Sequence, residues 1–516
     1  MMNHLKQAAI EYAPALASGV LLVLSFPGFD YYPLAWIALL PLLFSLREKT
    51  PKEAFRLGYV FGIVYFFGTL YWVYHSITVF GGIPLAASFG VVLMLCLYLG
   101  LYPALFSWLF ALIMKKTKLP ALLIVPVIWV VLEFIRSYLL TGFPWASIGY
   151  SQYLFLPMIQ IADVTGIYGI SFLVMSVNGA LFDIALVRRK LRDIPLYPLI
   201  YSATGFIALA AVLLISLGYG AWRLTQSREQ GAVRVSIIQG SIPQDKKWEP
   251  AFQEEVLAIY RDLSQKAAAA SSPQLIVWPE TSVPFFFDYD TANTERLLKM
   301  QKELGAYLLF GSVLVRERTK EHTLLTNSAL LLDREGKPVY KYDKIHLVPF
   351  GEYVPLKKVL FFVDKVVTGI GDYVPGDSYL KAGADFGSFG TMICYEIIFP
   401  GLVRKFYTQG GDFIVTITND AWFGRTAGPY QHFSMAVFRA IENRKPVVRA
   451  ANTGISGFID SSGRITARTS LFTREFLSGE IKPDKTLTFY TKYGDLFSYA
   501  CIITFIALLL NIRIWR

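Results

Sequence analysis

The chain has 516 residues, of which 54% are hydrophobic and 17% charged, and its mean hydropathy is +0.44. The length is too great for one ordinary core, and the composition excludes an ordinary soluble protein. The formal charge of +11 falls largely in short clusters between apolar stretches, a topology pattern, so no nucleic-acid partner is expected.

In chain order, about seven stretches of the first 220 residues are long and apolar enough to cross hydrocarbon. They lie near 8–27, 32–46, 57–79, 84–114, 119–140, 162–187 and 195–222, with Pro103 a candidate kink in the fourth. The first is no cleavable signal peptide, because it lacks an A-x-A-like site and another span follows at once. Lys6 precedes span one; Arg47, Lys49, Lys52 and Arg56 follow span two; Lys115, Lys116 and Lys118 follow span four; Arg188, Arg189, Lys190 and Arg192 follow span six. The loops near 80–83 and 141–161 carry no Lys or Arg. By the positive-inside rule the N-terminus is cytoplasmic and residues from 223 onward are outside. An eighth span near 496–512 returns the chain and ends in Arg513 and Arg516. Within the spans, Glu133 and Arg136 share one helical face, and charges there should pair with each other or meet a head group.

The predicted organisation is therefore a membrane domain over 1–222, an extracytoplasmic domain over 223–485, and a C-terminal transmembrane helix over 486–516. In the middle part, short β-rich runs (Val233–Gln239, Leu275–Trp278, Tyr307–Val315, Ser328–Leu332, Phe413–Thr418, Val447–Ala450) alternate with helical patterns (Glu254–Ala270, Thr291–Leu304, Tyr430–Arg444). This alternation argues an α/β domain.

Three apolar segments of this domain end in reactive groups. Leu275–Pro279 leads to Glu280, and proline ends a central strand there. Lys341–Glu352 supplies Lys344 and a second carboxylate eight residues later, Glu352. A run through Ile393 delivers Cys394, with Glu396 two residues on. Cys96 and Cys501 lie inside apolar runs, and Cys394 taken alone would also read as a small buried hydrophobe. A thiol attacks a carbonyl only as thiolate, so it needs a base or a cation nearby. Glu280 can take the proton, and Lys344 can stabilise the thiolate and then an oxyanion together with the Tyr395 N–H. His346 reads as a satisfied structural histidine, and Arg439 and Glu442 as structural. There is no CxxC, HExxH or P-loop, and the five histidines are scattered, so no metal and no cofactor is expected.

Trp278-Pro279-Glu280, Lys344 within Lys341–Glu352, Ile393–Glu396, Asn419–Phe423 and Asn452-Thr453-Gly454 occur in the order of the nitrilase superfamily, which this region (about 233–480) resembles. The spans, with Gly142–Trp145, Gly149–Gln152, Gln239–Gln244, Lys247-Trp248, His346–Glu352 and Gly428–Phe433, make the whole chain similar to the bacterial apolipoprotein N-acyltransferases. That resemblance implies a helical membrane bundle plus an αββα sandwich, in the bacterial inner membrane. It places the catalytic domain periplasmic, both termini cytoplasmic, and the protein as a monomer.

The resemblance also implies a ping-pong reaction. Cys394 takes an acyl chain from a phospholipid as a thioester, then passes it to the α-amino group of an S-diacylglyceryl cysteine on an apolipoprotein. Glu280 would be general base and then acid, Lys344 and Tyr395 N–H would serve the oxyanion, and Glu352 would orient the lysine. Trp248, Tyr395 and Glu396 would line or support the site. Pro284–Phe287 and Val359–Val363, with Phe361 and Phe362, read as hydrophobic arms for acyl chains, with Gly369, Gly371 and Gly376 as hinges. Two other readings stay open at this level: a membrane-tethered amidase using the same triad, and a transporter or receptor whose outer domain only binds.

Overall fold

The computed structural model describes all residues except 1, 118, 189–198, 227–230, 320–321, 354–371 and 515–516. Phe361, Phe362, Gly369 and Gly371 thus lie outside the described residues. Two compact units form. One comprises Met1–Thr78, Ile83–Thr225 and Tyr493–Arg516, and the other Val79–Gly82 with Gln226–Lys492.

The first unit is helical. Its principal helices are Met2–Leu24, Pro51–Leu70, Leu85–Lys116, Ala121–Arg136, Ala162–Arg188, Leu199–Thr225 and Leu496–Ile514. Among the described residues, each predicted span contains helical structure. Among the described residues, though, three helices are long and apolar enough to cross a membrane, or four if Pro51–Leu70 and Val73–Phe80, bent by 60°, count as one. Proline explains part of the difference. The second span divides into a 3-10 turn (Tyr32–Trp36) and a helix (Leu40–Leu46), with prolines near the start of each, because proline cannot donate within a continuing helix.

Polar side chains knit the first unit. Pro120 cannot cap the helix after it, and the Asp183 carboxylate supplies acceptors for Ala121 N (3.1 Å) and Leu122 N (2.9 Å). Glu133 and Arg136 are buried, and both make hydrogen bonds to the 143–148 loop. Glu133 Oε1 accepts from Trp129 Nε1 and from Ile148 N (2.8 Å), while Arg136 donates to Ser147 Oγ and to the Phe143 and Trp145 carbonyls. They act as braces for a turn rather than as a mutual pair.

The second unit is built on two sheets. β1 (Val233–Gln239), β2 (Leu275–Val277), β3 (Tyr307–Arg318), β4 (Thr323–Leu332), β5 (Pro338–Asp343) and β6 (Asp372–Tyr373) lie in the first with β13 (Glu475–Ile481), in the order β13-β1-β2-β3-β4-β5 with β6 beside β4. β7 (Lys381–Ala384), β8 (Gly387–Ile393), β9 (Phe413–Thr418), β10 (Val447–Ala451), β11 (Gly457–Ile459) and β12 (Ile465–Arg468) form the second, in the order β12-β11-β10-β9-β8-β7. The β1-β2-β3 and β8-β9-β10 pairings are parallel. Of these strands, β2, β9 and β10 are accordingly buried along their whole length. Helices Gln253–Ser271 and Thr291–Leu304 cover the first sheet through Val256, Tyr260, Leu263, Leu297 and Met300. Between the sheets, Tyr342 of β5 donates to Glu396 beyond β8 (2.7 Å), and Gln239 of β1 accepts from Ser456 (2.6 Å). This is the expected nitrilase-like α/β sandwich.

Two expectations fail. Phe285 and Phe287 are core residues, 3% and 6% exposed, filling the space between strands and covering helices, so Pro284–Phe287 is not a free arm. Only Phe286 stays half-buried, against Trp248 at a ring separation of 5.9 Å. Gly376 is not a hinge but a fixed contact. Its N–H donates to Lys344 O (2.8 Å), and a Cβ there would meet Asp343 O at 2.2 Å. The second unit also continues past the predicted boundary, since Thr488 Oγ1 donates to Glu442 O (2.6 Å) and Thr491 Oγ1 to Asn443 Oδ1 (3.1 Å).

Gly311 of β3 lies under the turn that carries Glu280. A Cβ at 311 would meet Thr281 N at 2.4 Å and Glu280 Cα at 2.7 Å, both rigid backbone. Gly311→Ala should therefore lower stability by about 1–3 kcal/mol, read as a reduced thermal unfolding midpoint in detergent micelles. An unchanged midpoint would show that the turn yields freely.

Candidate active site

Four chain segments bring Glu280, Lys344, Glu352 and Cys394 together. Glu280 follows β2 on a turn where Thr281 has φ +46°, a left-handed conformation that is costly for a β-branched residue. Lys344 follows β5, and its N–H donates to Asn327 O on β4 (2.8 Å). Cys394 follows β8 with φ +51° and opens a 3-10 turn, Cys394–Ile398. Cys394 thus stands directly where β8 stops, and Thr281 on the turn that follows β2.

The Lys344 side chain is 1% exposed and sits between two carboxylates. Its Nζ is 2.9 Å from Glu352 Oε1 and from Oε2, and 3.7 Å from Glu280 Oε1. Asn327 Nδ2 bridges the two acids, donating to Glu280 Oε1 and to Glu352 Oε1 at 2.8 Å each. Glu280 Oε2 accepts from Asn419 N (2.9 Å), and Glu352 Oε2 accepts from Val348 N (2.8 Å), which closes the loop that carries it. Burial opposes a charge on Lys344, but Glu352 and then Glu280 outweigh it, so the amine is held well above its ordinary range and stays an ammonium.

Cys394 is 7% exposed. Burial, then the Glu280 carboxylate, push its thiol far up; Lys344 opposes them but is already neutralised by Glu352. Lys344 favours the thiolate, as expected from the sequence, but burial and Glu280 outweigh it in the resting site. At rest Cys394 is a thiol, and the base beside it must take the proton as attack begins.

Glu396 is a buried tie between the end of the Cys394 strand and the lysine loop. Its Oε1 accepts from Tyr342 OH (2.7 Å), Ile345 N (2.7 Å) and His346 N (3.1 Å), and its Oε2 from Ile393 N (2.8 Å). Burial raises its pKa to about 7, against the pull of these donors. Tyr395 packs its ring on Phe399 (5.0 Å) and His346 (5.8 Å). His346 is not a satisfied histidine: among the described residues Nε2 has no hydrogen-bond partner. The ring stacks on Phe399 at 3.9 Å, and burial followed by the Lys344 charge lowers its pKa to about 4, so it is neutral. Trp248 is half-buried on Phe286. Arg439 and Glu442 form a fully buried ion pair (2.9 Å).

Sequence reasoning missed two supports. Asn327 lies in the polar triplet Thr326-Asn327-Ser328 in the middle of β4, which carries no reactive-residue signature. Lys247 is buried, donating Nζ to Glu280 O (2.9 Å) and Thr281 Oγ1 (2.6 Å). Burial lowers its pKa to about 7, with Glu280 pulling the other way. Its place beside Trp248 in the Gln244–Trp248 stretch was the available signal. The arrangement supplies a fixed carboxylate, a thiol and an ammonium at three strand ends, which suits acyl chemistry through a covalent intermediate.

Residues 18–180 match the apolipoprotein N-acyltransferase N-terminal domain, and residues 234–488 match the carbon-nitrogen hydrolase domain. The apolipoprotein N-acyltransferase of Geobacter metallireducens is 45% identical over 95% of this chain and 93% of its own length. The chain belongs to the apolipoprotein N-acyltransferase family. The enzyme of that name from Haemophilus influenzae is 34% identical over 96% of this chain and 94% of its own length. Among solved structures, an amidase from Nesterenkonia sp. is 18% identical, covering 54% of this chain and 98% of its own, with a TM-score of 0.39.

Two outcomes follow from the site. Because the resting thiol is protonated, alkylation of Cys394 by iodoacetamide, followed by peptide mass spectrometry, should keep accelerating beyond the ordinary thiol midpoint of ~8.5. A plateau below that pH would mean a resting thiolate. Glu396→Gln leaves one acceptor oxygen and one NH₂ group for donors that now meet two oxygens. It should cost about 1–3 kcal/mol of stability and depress activity, with both losses absent if the carboxylate is dispensable.

Proposed function

We propose that this protein acylates lipoproteins by a two-step exchange at Cys394. The observation that carries this reading is the Glu280–Lys344–Glu352 cluster, electrostatically coupled to the Cys394 thiol, in a chain of this family. In the first half-reaction Glu280 takes the thiol proton, and the sulfur attacks the ester carbonyl of a phospholipid. The oxyanion is met by the Lys344 ammonium and the Tyr395 N–H. Collapse expels the lysophospholipid alkoxide, which takes the proton back from Glu280 and leaves a thioester. In the second, the α-amino group of an S-diacylglyceryl cysteine at an apolipoprotein N-terminus attacks the thioester and gives its proton to Glu280. Collapse forms the amide and returns the thiol. Glu352 and Asn327 hold Lys344 and Glu280 in register through both steps, and Trp248 contributes to the substrate surface.

The charge pattern of the connections supports a bacterial inner-membrane protein with eight spans, cytoplasmic termini and a periplasmic catalytic unit, working as a monomer. The long apolar helices and lipid-borne substrates favour this over a tethered amidase.

The test is mass spectrometry of the purified protein after incubation with phospholipid. A mass gain of one acyl chain on the Cys394 peptide is expected, labile to neutral hydroxylamine and absent in Cys394→Ala. A diacylglyceryl lipopeptide should then discharge it to the N-acyl product. No adduct with any phospholipid, together with hydrolysis of small amides, would replace the transferase reading with the amidase one.

A further inference from the structure

Behind the nucleophile lies a buried polar cluster that the exchange above does not use. His432, Asp420 and Arg449 are all at most 1% exposed. His432 lies on helix Gly428–Asn443, Asp420 on the turn after β9, and Arg449 on β10. His432 Nε2 is 3.1 Å from the Cys394 carbonyl oxygen. A carbonyl only accepts, so Nε2 carries the proton. Burial and then the Arg449 charge lower the His432 pKa, with Asp420 pulling the other way. Its Nδ1 lies 3.0 Å from both Arg449 Nη2 and Asp420 Oδ1, and Arg449 Nη2 also donates to Asp420 Oδ2 (2.9 Å). Burial works against the Asp420 charge, yet Arg449 and His432 hold its pKa at about 2. The imidazole is thus pinned from behind by Asp420 and Arg449, with its Nε2–H aimed at Cys394.

The target is informative. The Cys394 carbonyl and the Tyr395 N–H belong to one peptide group, and in a trans peptide they point in opposite directions from a rigid plane. Holding one edge aims the other. A donor on the carbonyl also polarises the group and strengthens its N–H as a donor. The peptide needs such a hold because Cys394 stands at φ +51°, and the Glu396 tie to Ile393 N acts two peptides earlier, on the Met392–Ile393 group.

We propose that His432 is a positioning residue of the oxyanion hole: its Nε2–H, bonded to the Cys394 carbonyl, sets the direction of the Tyr395 N–H. This rests on the reading that Tyr395 N–H receives the oxyanion. The cluster is then a device for acyl transfer rather than core packing, because a packing role would not require a donor at Nε2.

The experiment uses the full chain in phospholipid micelles and compares His432→Phe, which fills the volume without a donor, with His432→Gln, which returns an N–H at similar reach. Acyl-enzyme formation and turnover are measured beside iodoacetamide alkylation of Cys394, a displacement at saturated carbon that forms no oxyanion. His432→Phe should lower kcat roughly ten- to hundredfold, with KM and alkylation within about twofold of the parent, and His432→Gln should recover most of the loss. Parental acylation in His432→Phe overturns the proposal, as does alkylation falling as far as acylation, which would mean that the whole turn has collapsed. If His432→Phe does not fold, His432→Asn, too short to reach the carbonyl, makes the same comparison. If the parent forms no acyl-enzyme but hydrolyses amides, the transferase reading fails, and the same comparison on amide hydrolysis decides the role of His432.

Discussion

A buried ammonium is the constraint around which the catalytic unit is arranged. Removing Lys344 from water costs several kcal/mol unless opposite charge and hydrogen bonds replace the solvent. Glu352 meets it with both oxygens, Glu280 stands one step farther off, and Asn327 bridges the two acids. Because Glu352 neutralises the lysine, little of its charge is left to lower the Cys394 pKa. The same arrangement couples Glu280 and Lys344 electrostatically to the Cys394 thiol, and burial with Glu280 holds that thiol protonated.

That arrangement needs elements that are far apart in sequence to stop at one place. The sandwich supplies this, because β2, β5 and β8 each end beside the cluster and each end is tied to another element. Gly311 admits the Glu280 turn, Lys247 holds its carbonyl, Glu396 joins the strand before Cys394 to the loop after Lys344, and His432 holds the peptide after Cys394. Two of these junctions are left-handed at non-glycine residues. Such conformations persist only where the surroundings over-determine them, and the number of independent ties at each junction is the structural counterpart of that strain.

The helical unit follows the same rule in a more apolar setting. Where proline or a loop leaves backbone groups without partners, a buried polar side chain from another helix supplies them, as Asp183 does for Ala121 and Leu122, and Glu133 for Ile148. Polar residues inside apolar helices serve as backbone acceptors. This also explains why Glu133 and Arg136, one turn apart, both make hydrogen bonds to the 143–148 loop.

The sequence by itself determined the α/β class, the strands at Val233–Gln239 and Phe413–Thr418, the helix at Thr291–Leu304 and the three reactive strand ends, because periodicity and turn chemistry are local signals. Local signals also explain the errors. Pro284–Phe287 is apolar whether it guides lipid or fills a core, and only the covering helices decide which. Val359–Val363 lies outside the described residues. The polar triplet Thr326–Ser328 inside β4 hid Asn327, since its strand character comes from pairing with β3. The protonation of Cys394, the bracing of Glu280 and the hold of His432 on the nucleophile's peptide were decided by tertiary structure alone. Each depends on desolvation and on distances between groups tens to hundreds of residues apart, and no reading of spacing along the chain contains those quantities.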